Sequence, residues 1–239
     1  MFRVAIVAAL EREVRPLVKN WRLNEKQIGG RRFRFFETEG CVLVCGGIGA
    51  EAARRAAEAV ISSYAPGLIY SVGFAGALES ALKVGDVVQP RLVINAEDGS
   101  RVNLDQGEGV LVTFGSIASP QQKTKLAQSF GAQAVDMEAA AVARATEARG
   151  ARFAVVKVIS DEYDFIFPSM DRFIDSNGQF RQGRFAWFIA LRPWLWPRVA
   201  RLTRNSKRAS VVLYDRLQKM IAATTNSPDT PTVEALHRS

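Results

Sequence analysis

The distribution of apolar positions along the chain predicts strands that alternate with helices. Residues 2–9 are apolar except for Arg3, which is typical of a strand buried on both faces. Apolar side chains then recur at helical spacing from Leu10 to Trp21. Helices are also predicted after Gly49, from residue 120 with Ser119 as N-cap, and over 137–148. Later apolar runs predict strands at 33–37, 41–46, 68–73, 86–88, 91–95, 109–113, 132–136 and 153–159.

This order of elements predicts an α/β fold with a largely parallel central sheet. The 239 residues suffice for one large domain, or for one domain with an appendage. Hydrophobic residues make up 48% of the chain and charged residues 23%, which excludes wholesale disorder. No uncharged apolar stretch reaches the length of about 18 residues that a membrane-spanning helix needs. The N-terminus is predicted as a first strand and not as a signal peptide.

One segment carries the whole charge excess of the chain. The formal net charge is +8, and residues 176–214 contain no acid but eight bases: Arg181, Arg184, Arg192, Arg198, Arg201, Arg204, Lys207 and Arg208. The segment also holds Trp187, Trp194 and Trp196. We call residues 181–208 the basic aromatic segment. It suits an anionic membrane surface or a helical hairpin packed on the body, and least of all nucleic acid. Pro193 and Pro197 argue against one continuous helix.

The counts of histidine and cysteine exclude several catalytic classes. The single histidine, His237, lies in the sequence EALHRS, which has the composition of a tail. Nucleophilic triads and zinc sites built on histidine are therefore excluded, and carboxylates must carry any acid–base chemistry. Cys41 and Cys45 match no metal or redox spacing. They are predicted as buried small hydrophobes, which fits a reducing cytosol and a cytoplasmic location.

Acidic residues follow several predicted strands, at the ends where α/β proteins bind ligands. Capping of the following helices would explain each acid separately, but their convergence on one rim favours a catalytic site. The glycine-rich turn 46–49 could present backbone N–H groups to an anion at the same rim. The acids are Glu11 and Glu13 after the first strand, Glu138 of Met137-Glu138 after the strand ending at Asp136, and Asp161 of Ser160-Asp161 after the strand ending at Ile159.

Five segments resemble, in order, the nucleoside phosphorylase and nucleosidase family that includes methylthioadenosine/S-adenosylhomocysteine nucleosidase. The resemblance implies a three-layer α/β/α catalytic domain over residues 1–175 with a central mixed, largely parallel sheet. It also implies an enzyme that cleaves the N-glycosidic bond of a nucleoside substrate without metal or cofactor, and a homo-oligomer, dimer or larger. The segments are AALEREVRPL (8–17), GGIGAEAA (46–53), SVGFAGALESALKVGDVV (71–88), VDMEAAAVA (135–143) and VKVISDEYD (156–164).

The same resemblance implies roles for individual residues. Asp161 matches the general acid that protonates purine N7, and Glu138 with Met137 matches the pair that binds ribose. Glu13 matches the residue that positions or activates water in hydrolytic members. Inorganic phosphate is a candidate co-substrate that competes with water as the nucleophile. Ser160, Ile117 and Ala118 would face the base, while Gly47, Gly49, Gly73 and Phe74 would line the pocket for water or phosphate.

Two regions depart from the nucleosidase pattern. Phe74 stands where relatives often carry serine, and residues 111–123 replace a longer base-binding loop. The sequence from 168 to 209 resembles hopanoid-associated phosphorylases, which act on an adenosyl-linked triterpenoid lipid. This likeness implies a helical appendage at 176–222 at the inner face of the cytoplasmic membrane, before a disordered tail at 223–239. A methylthioadenosine/S-adenosylhomocysteine nucleosidase, and a catalytically silent nucleoside- or lipid-binding protein, are the alternatives.

Overall fold

A computed structural model of the chain describes residues 2–167, 173, 175, 178 and 180–225. Its strands are β1 (Val4–Ala8), β2 (Arg22–Ile28), β3 (Arg31–Thr38), β4 (Cys41–Cys45), β5 (Leu68–Ala77), β6 (Val87–Val88), β7 (Leu92–Asn95), β8 (Arg101–Asn103), β9 (Val110–Thr113), β10 (Ala134–Asp136) and β11 (Arg152–Asp161). Its helices are α1 (Glu11–Val18), α2 (Ala50–Tyr64), α3 (Pro120–Phe130), α4 (Ala139–Glu147), α5 (Gln182–Ala190) and α6 (Trp196–Thr225), with a 3₁₀ helix at Pro193–Leu195.

β5 connects the two parts of the sheet. Its ten residues pair in parallel with β1 on one side and with β11 on the other. At its carboxyl end, Gly76 and Ala77 pair in antiparallel fashion with β10, which links β5 to β9, β7 and β8. The central strands β4, β1, β5 and β11 are parallel, whereas β2, β3 and β6 form antiparallel edges. The predicted mixed sheet is therefore confirmed.

Side chains of β1 enter two apolar cores, because successive residues of a strand point to opposite faces. Val4 and Ile6 belong to the core that α1 and α6 cover. Ala5 and Val7 belong to the core that α2 and α4 cover on the opposite face. The predicted three-layer α/β/α arrangement follows from this two-sided burial.

The second half of α6 is built into the first of these cores. Ala209, Leu213 and Leu217 are each 0% exposed and recur every fourth residue, so they form one face of the helix. They share an apolar cluster with Val156 and Val158 of β11. The predicted C-terminal helix is thus present, and its second half is part of the body of the domain.

Most predicted elements are present with shifted ends, and two strands were missed. Ser119 caps α3 as expected, and its hydroxyl accepts a hydrogen bond from the Gln122 backbone at 3.3 Å. The strand predicted to end at Ile159 continues to Asp161. β2 and β8 were missed because most of their residues are polar and exposed, so they lack the apolar alternation that predicts a strand.

The C-terminal region agrees with the prolines and corrects the start of the predicted tail. α5 ends at Ala190, and α6 begins at Trp196 with Pro197 in its first turn, so no continuous helix forms. The tail predicted from residue 223 is helical as far as Thr225. Residues 226–239, including His237, lie outside the described residues. Within the described part of the chain, no helix combines the length and apolarity that a bilayer crossing requires.

Replacing Leu213 with alanine should destabilise the whole domain, because the side chain is 0% exposed in the core between α6 and the sheet. The expected loss of unfolding free energy is about 2–5 kcal/mol. Urea unfolding followed by circular dichroism measures it. Val211→Ala is the matched control, since Val211 is 59% exposed on the same helix and should change stability by less than about 0.5 kcal/mol. A partial transition confined to helical signal would contradict the assignment of α6 to the core.

Candidate active site

A cavity of roughly 1070 Å³ lies where the ends of β1 and β11 meet α1, α3, α4 and α6. The predicted acids converge on it, and Glu11 does not belong to its lining. The carboxylate of Glu11 pairs instead with Arg34 at 2.6 Å. The predicted residues that line the cavity are Glu13, Phe74, Ile117, Ala118, Met137, Glu138, Ser160 and Asp161.

Glu13 presents a buried carboxylate whose Oε2 atom has no hydrogen-bond partner among the described residues. Burial, reinforced by the nearby charge of Glu138, raises its pKa to about 7. Lys157 and a hydrogen bond from the Leu10 backbone oppose this rise. The approach is possible because residue 73 is glycine: a Cβ atom there would lie 2.8 Å from Glu13 Oε2. The hydrogen bond at the helix N-terminus therefore does not use the whole carboxylate, and Oε2 is available to a ligand.

Glu138 occupies the N-cap position of α4 but makes no capping hydrogen bond with its side chain. Its Oε1 atom accepts a hydrogen bond from the Gly49 backbone at 3.0 Å, across the cavity wall. The capping role belongs to Asp136, whose Oδ2 atom accepts from the Ala139 backbone at 2.8 Å. The alternative that Glu138 is only a helix cap is therefore wrong, and its carboxylate is held for another purpose.

Lys157 lies beneath these carboxylates and is 1% exposed. Its ammonium group is 2.8 Å from Asp136 Oδ2 and 3.9 Å from Glu138 Oε2. Desolvation opposes its charge, but Asp136 and Glu138 outweigh that cost and raise the pKa of Lys157. Thr113 also donates to Asp136, at 2.6 Å. Burial raises the pKa of Glu138, and Lys157 limits the rise.

Asp161 reaches the cavity through an irregularity in β11. The register with β5 shifts between Ile159 and Asp161, and bulges of this kind re-aim side chains beside active sites. The Ser160 hydroxyl donates to Asp161 Oδ1 at 2.8 Å. Burial raises the pKa of Asp161, opposed by the neighbouring charge and hydrogen bond of Lys123 and by the bond from Ser160. Asp161 is thus a buried acid held within a strand.

The sequence reasoning missed two buried lysines, Lys123 in the cavity lining and Lys157 beneath the carboxylates. Lys123 is 2% exposed, and its Nζ atom lies 2.5 Å from Asp161 Oδ2. Helical spacing is the signal that could have found Lys123, since it shares a face with Leu126, Ala127 and Phe130, whereas Lys125 does not. Lys157 was detectable, because a lysine inside the apolar run FAVVKVI must find a buried partner.

The glycine turn does not offer the free donors that the sequence predicted. The Gly47 N–H donates to the Ala9 carbonyl at 2.9 Å, and the Gly49 N–H donates to Glu138. Gly73 makes room for Glu13, as described above. The turn therefore positions Glu138, and an anion cannot be held by the N–H groups of Gly47 and Gly49 in this arrangement.

The cavity continues from the acids along an apolar wall formed by α5 and α6. The far wall includes Phe180, Phe185, Val199, Leu202 and Val211. Two arginines, Arg12 and Arg15, also line this cavity. The described residues contain no group of three or more histidine, cysteine, aspartate or glutamate side chains arranged to hold a metal ion.

Comparison with known proteins places this geometry in a family. The model of the phosphorylase superfamily matches residues 3–108 and 99–182. The 5′-methylthioadenosine/S-adenosylhomocysteine nucleosidase of Staphylococcus aureus (strain bovine RF122 / ET3-1) is 26% identical over 196 residues, which covers 66% of this chain and 86% of that protein. The same nucleosidase from strain MRSA252 matches equally well.

Solved structures share the fold over nearly the whole chain. Native futalosine hydrolase of Helicobacter pylori strain 26695 superposes with a TM-score of 0.70 at 16% identity, covering 93% of this chain and 98% of that chain. The nucleosidase from Neisseria meningitidis, in complex with methylthio-immucillin-A, has a TM-score of 0.69 at 18% identity, with 92% and 98% covered. Such coverage cannot be reached without α6, so the C-terminal helix belongs to the shared fold. The chain is therefore a member of the phosphorylase superfamily, among the nucleoside phosphorylases and nucleosidases that cleave N-glycosidic bonds.

Proposed function

We propose that the protein cleaves the N-glycosidic bond of a 5′-substituted adenosine and releases adenine. The observation that carries this proposal is the convergence of Glu13, Glu138 and Asp161 on one cavity, each buried and each from a different element. The curated relatives are nucleosidases of 5′-substituted adenosines, which supports the same substrate class.

Asp161 is the acid that makes the base a better leaving group. Breaking the C1′–N9 bond moves an electron pair onto the base, and a proton delivered to N7 neutralises that charge. Ser160 holds the carboxyl group in place at 2.8 Å. Ile117 and Ala118 lie in the same part of the cavity lining and form the wall against which the base packs.

Glu138 stabilises the sugar as it becomes electron-poor. The ribose ring acquires oxocarbenium-like positive charge during bond cleavage, and a fixed carboxylate nearby lowers the energy of that state. The backbone N–H groups of Gly49 and Met137 fix the carboxylate, at 3.0 Å and 3.3 Å. Met137 packs on the sugar face.

Water is the nucleophile that the charges favour. Glu13, with a pKa near 7 and a free Oε2 atom, is suited to take a proton from water at neutral pH. Glu13 and Glu138, with Asp136 behind them, would repel an incoming phosphate, and Lys157 offsets only part of this charge. Phosphorolysis is the competing reaction. Arg12, which precedes Glu13 in the chain and lines the cavity, is the candidate cation for phosphate.

The 5′ substituent that best fits the cavity is long and apolar, as in an adenosine linked to a lipid such as a hopanoid. Ligand pockets commonly measure about 300–1,000 Å³, and this cavity reaches the upper limit. Phe180, Phe185, Val199 and Leu202 extend its lining well beyond the acids. The second candidate substrate is methylthioadenosine or S-adenosylhomocysteine, which the names of the curated relatives favour.

The basic aromatic segment is the surface through which we propose that the protein meets an anionic membrane. Trp194 is 70% exposed, Leu191 58% and Trp196 55%, an unusual concentration of large apolar side chains in contact with water. Arg198 and Arg204 are exposed nearby on α6. Aromatic and basic side chains together suit the headgroup region of a bilayer. Lipid-linked substrate would then reach the cavity along α5 and α6. Homo-oligomer formation stays a prediction.

Adenine release is the direct test of the proposed function. Purified protein should release adenine from an adenosyl-linked lipid and, more slowly, from methylthioadenosine, equally well with and without phosphate. Asp161→Asn should lower kcat about 10²–10⁴-fold because the variant cannot deliver a proton, whereas Asp164→Asn, at an exposed position nearby, should not. A strict phosphate requirement would make phosphate the nucleophile. No adenine from either nucleoside would favour a binding protein instead.

Glu13→Gln should separate the catalytic and structural effects of the buried carboxylate. The folded-state pKa of about 7 exceeds the ordinary value of 4.5, so the parent loses stability as pH rises from about 4.5 to about 7 and does not regain it above that range. At pH 8 the variant should be more stable than the parent by up to about 3 kcal/mol, and the difference should vanish near pH 4.5. Denaturant unfolding at both pH values measures it, with Glu11→Gln as control.

Glu13→Gln should also slow the release of adenine. In the parent, kcat should rise as pH rises through about 7, because Glu13 takes the proton from water in its ionised form. Unchanged hydrolysis by Glu13→Gln would exclude Glu13 as the general base that activates water.

Leu191→Ser with Trp194→Ser should weaken binding to anionic vesicles at least tenfold without changing stability. Each buried side chain of this size contributes about 1.5–3 kcal/mol at an apolar surface, and about 1.4 kcal/mol corresponds to tenfold. Cosedimentation with phosphatidylglycerol vesicles measures it. Leu23→Ser, at a 45% exposed leucine of β2, is the control. Parent protein that stays in the supernatant would exclude the membrane surface while leaving the chemistry intact.

A further inference from the structure

A second buried lysine, Lys123, lines the cavity next to Asp161. Lys123 Nζ is 2.5 Å from Asp161 Oδ2 and also donates to the Glu162 carbonyl at 2.7 Å. The side chain is 2% exposed, yet it belongs to the lining of the cavity. Burying an ammonium group costs several kcal/mol unless it is closely paired. Its pairing with the proposed acid calls for a chemical reason.

The fold makes specific room for this pair. A Cβ atom at residue 76 would lie 2.8 Å from Asp161 Oδ2 and 3.2 Å from Lys123 Nζ, so any larger residue would displace the pair from its present position. Asp161 is therefore held by Ser160 on Oδ1 and by Lys123 on Oδ2. An aspartate clamped in this way has little freedom to turn, and Lys123 is the only charged hydrogen-bond donor to it among the described residues.

We propose that Lys123 is a positioning residue for the acid: it fixes Asp161 against the base and stores the proton that Asp161 delivers to the leaving purine. The inference rests on the proposed function, since it concerns the acid of that reaction. Burial raises the pKa of Asp161, but the charge of Lys123 opposes that rise, so an acid in this position gains from a proton source beside it. The adjacent ammonium group is that source.

The proton and electron changes balance without a further reactant. The C1′–N9 electron pair passes to the base, and N7 takes a proton from Asp161. Asp161 takes its replacement from the Lys123 ammonium, which becomes a neutral amine. Water forms the new bond to C1′ and gives one proton to Glu13. Solvent then returns the Lys123 proton when the products leave, and Glu13 releases its own.

Other charged groups face the pair from the neighbouring elements, and they limit how its titration is interpreted. Glu162, which accepts from Lys123 through its carbonyl, pairs its carboxylate with Arg201 of α6 at 3.2 Å. These exposed groups lie outside the cavity and should affect the pair weakly. The charged groups that line the cavity with the pair, or lie directly beneath it, are Glu13, Glu138, Asp136, Lys157, Arg12, Arg15, Lys19 and Lys207.

Leaving-group dependence distinguishes this role from a structural one. The substrates are the nucleoside that the parent cleaves faster and a 4-nitrophenyl riboside with the same 5′ group, whose phenolate departs without a proton. Lys123→Met should lower kcat for the nucleoside about 100-fold at pH 8 and leave the nitrophenyl riboside within threefold. Lys125→Met, at an exposed position of the same helix, should change neither.

The pH profile provides the second measurement. In Lys123→Met, Asp161 is the only acid left, so the pH above which nucleoside cleavage declines should fall by at least one unit, with activity recovering at lower pH. Lys123→Arg keeps the positive charge but its guanidinium cannot give up a proton. It should therefore fail to restore nucleoside cleavage at pH 8 while cleaving the nitrophenyl riboside.

Each outcome decides between the roles. Equal losses on both substrates, or rescue by Lys123→Arg, would make Lys123 a structural or purely electrostatic residue and overturn the inference. An unshifted pH profile in folded Lys123→Met would do the same. If the parent itself cleaves the nitrophenyl riboside but no nucleoside, the proposed function fails, which is a different result from failure of the inference.

Discussion

The burial of several carboxylates around one ammonium group is the constraint on which the site depends. Lys157 lies on β11, next to β5 in the middle of the sheet, and is 1% exposed. Its ammonium group lies 2.8 Å from Asp136 Oδ2 and 3.9 Å from Glu138 Oε2, and removing the cation partner of buried carboxylates is strongly destabilising. Burial raises the pKa of Glu13 to about 7, and the charges of Arg12 and Lys157 limit that rise. One partly compensated cluster thus combines a fixed carboxylate at Glu138 with a titratable one at Glu13, as the proposed function requires.

Next to Ser160, the cavity contains another buried carboxylate, and its charge is compensated differently. There a single carboxylate, Asp161, has its own ammonium partner in Lys123 at 2.5 Å. Glycine appears where each carboxylate passes a strand: Gly73 beside Glu13 and Gly76 beside Asp161. β5 therefore serves both ends, since its missing side chains let acids from α1 and β11 reach the cavity.

α6 extends from the cavity wall to the surface of the protein. Its second half completes an apolar core through Leu213 and Leu217, while Val199 and Leu202 of its first half line the cavity. The same helix begins beside the exposed Trp194. One helix thus belongs to the core, to the cavity wall and, near its start, to the exposed surface.

Local pattern in the sequence determined the strands, the helices and the acids, because buried strands, capped helices and the quoted motifs are read from neighbouring residues. It also predicted that Glu13, Glu138 and Asp161 would share a rim. Only the tertiary structure decided what pairs with them. β10 runs antiparallel to β5, the Gly49 N–H is taken by Glu138, and Lys123 reaches Asp161 across 38 positions. Such contacts depend on how distant segments pack, and the energetics of a buried charge depend on its partners rather than on its sequence neighbours.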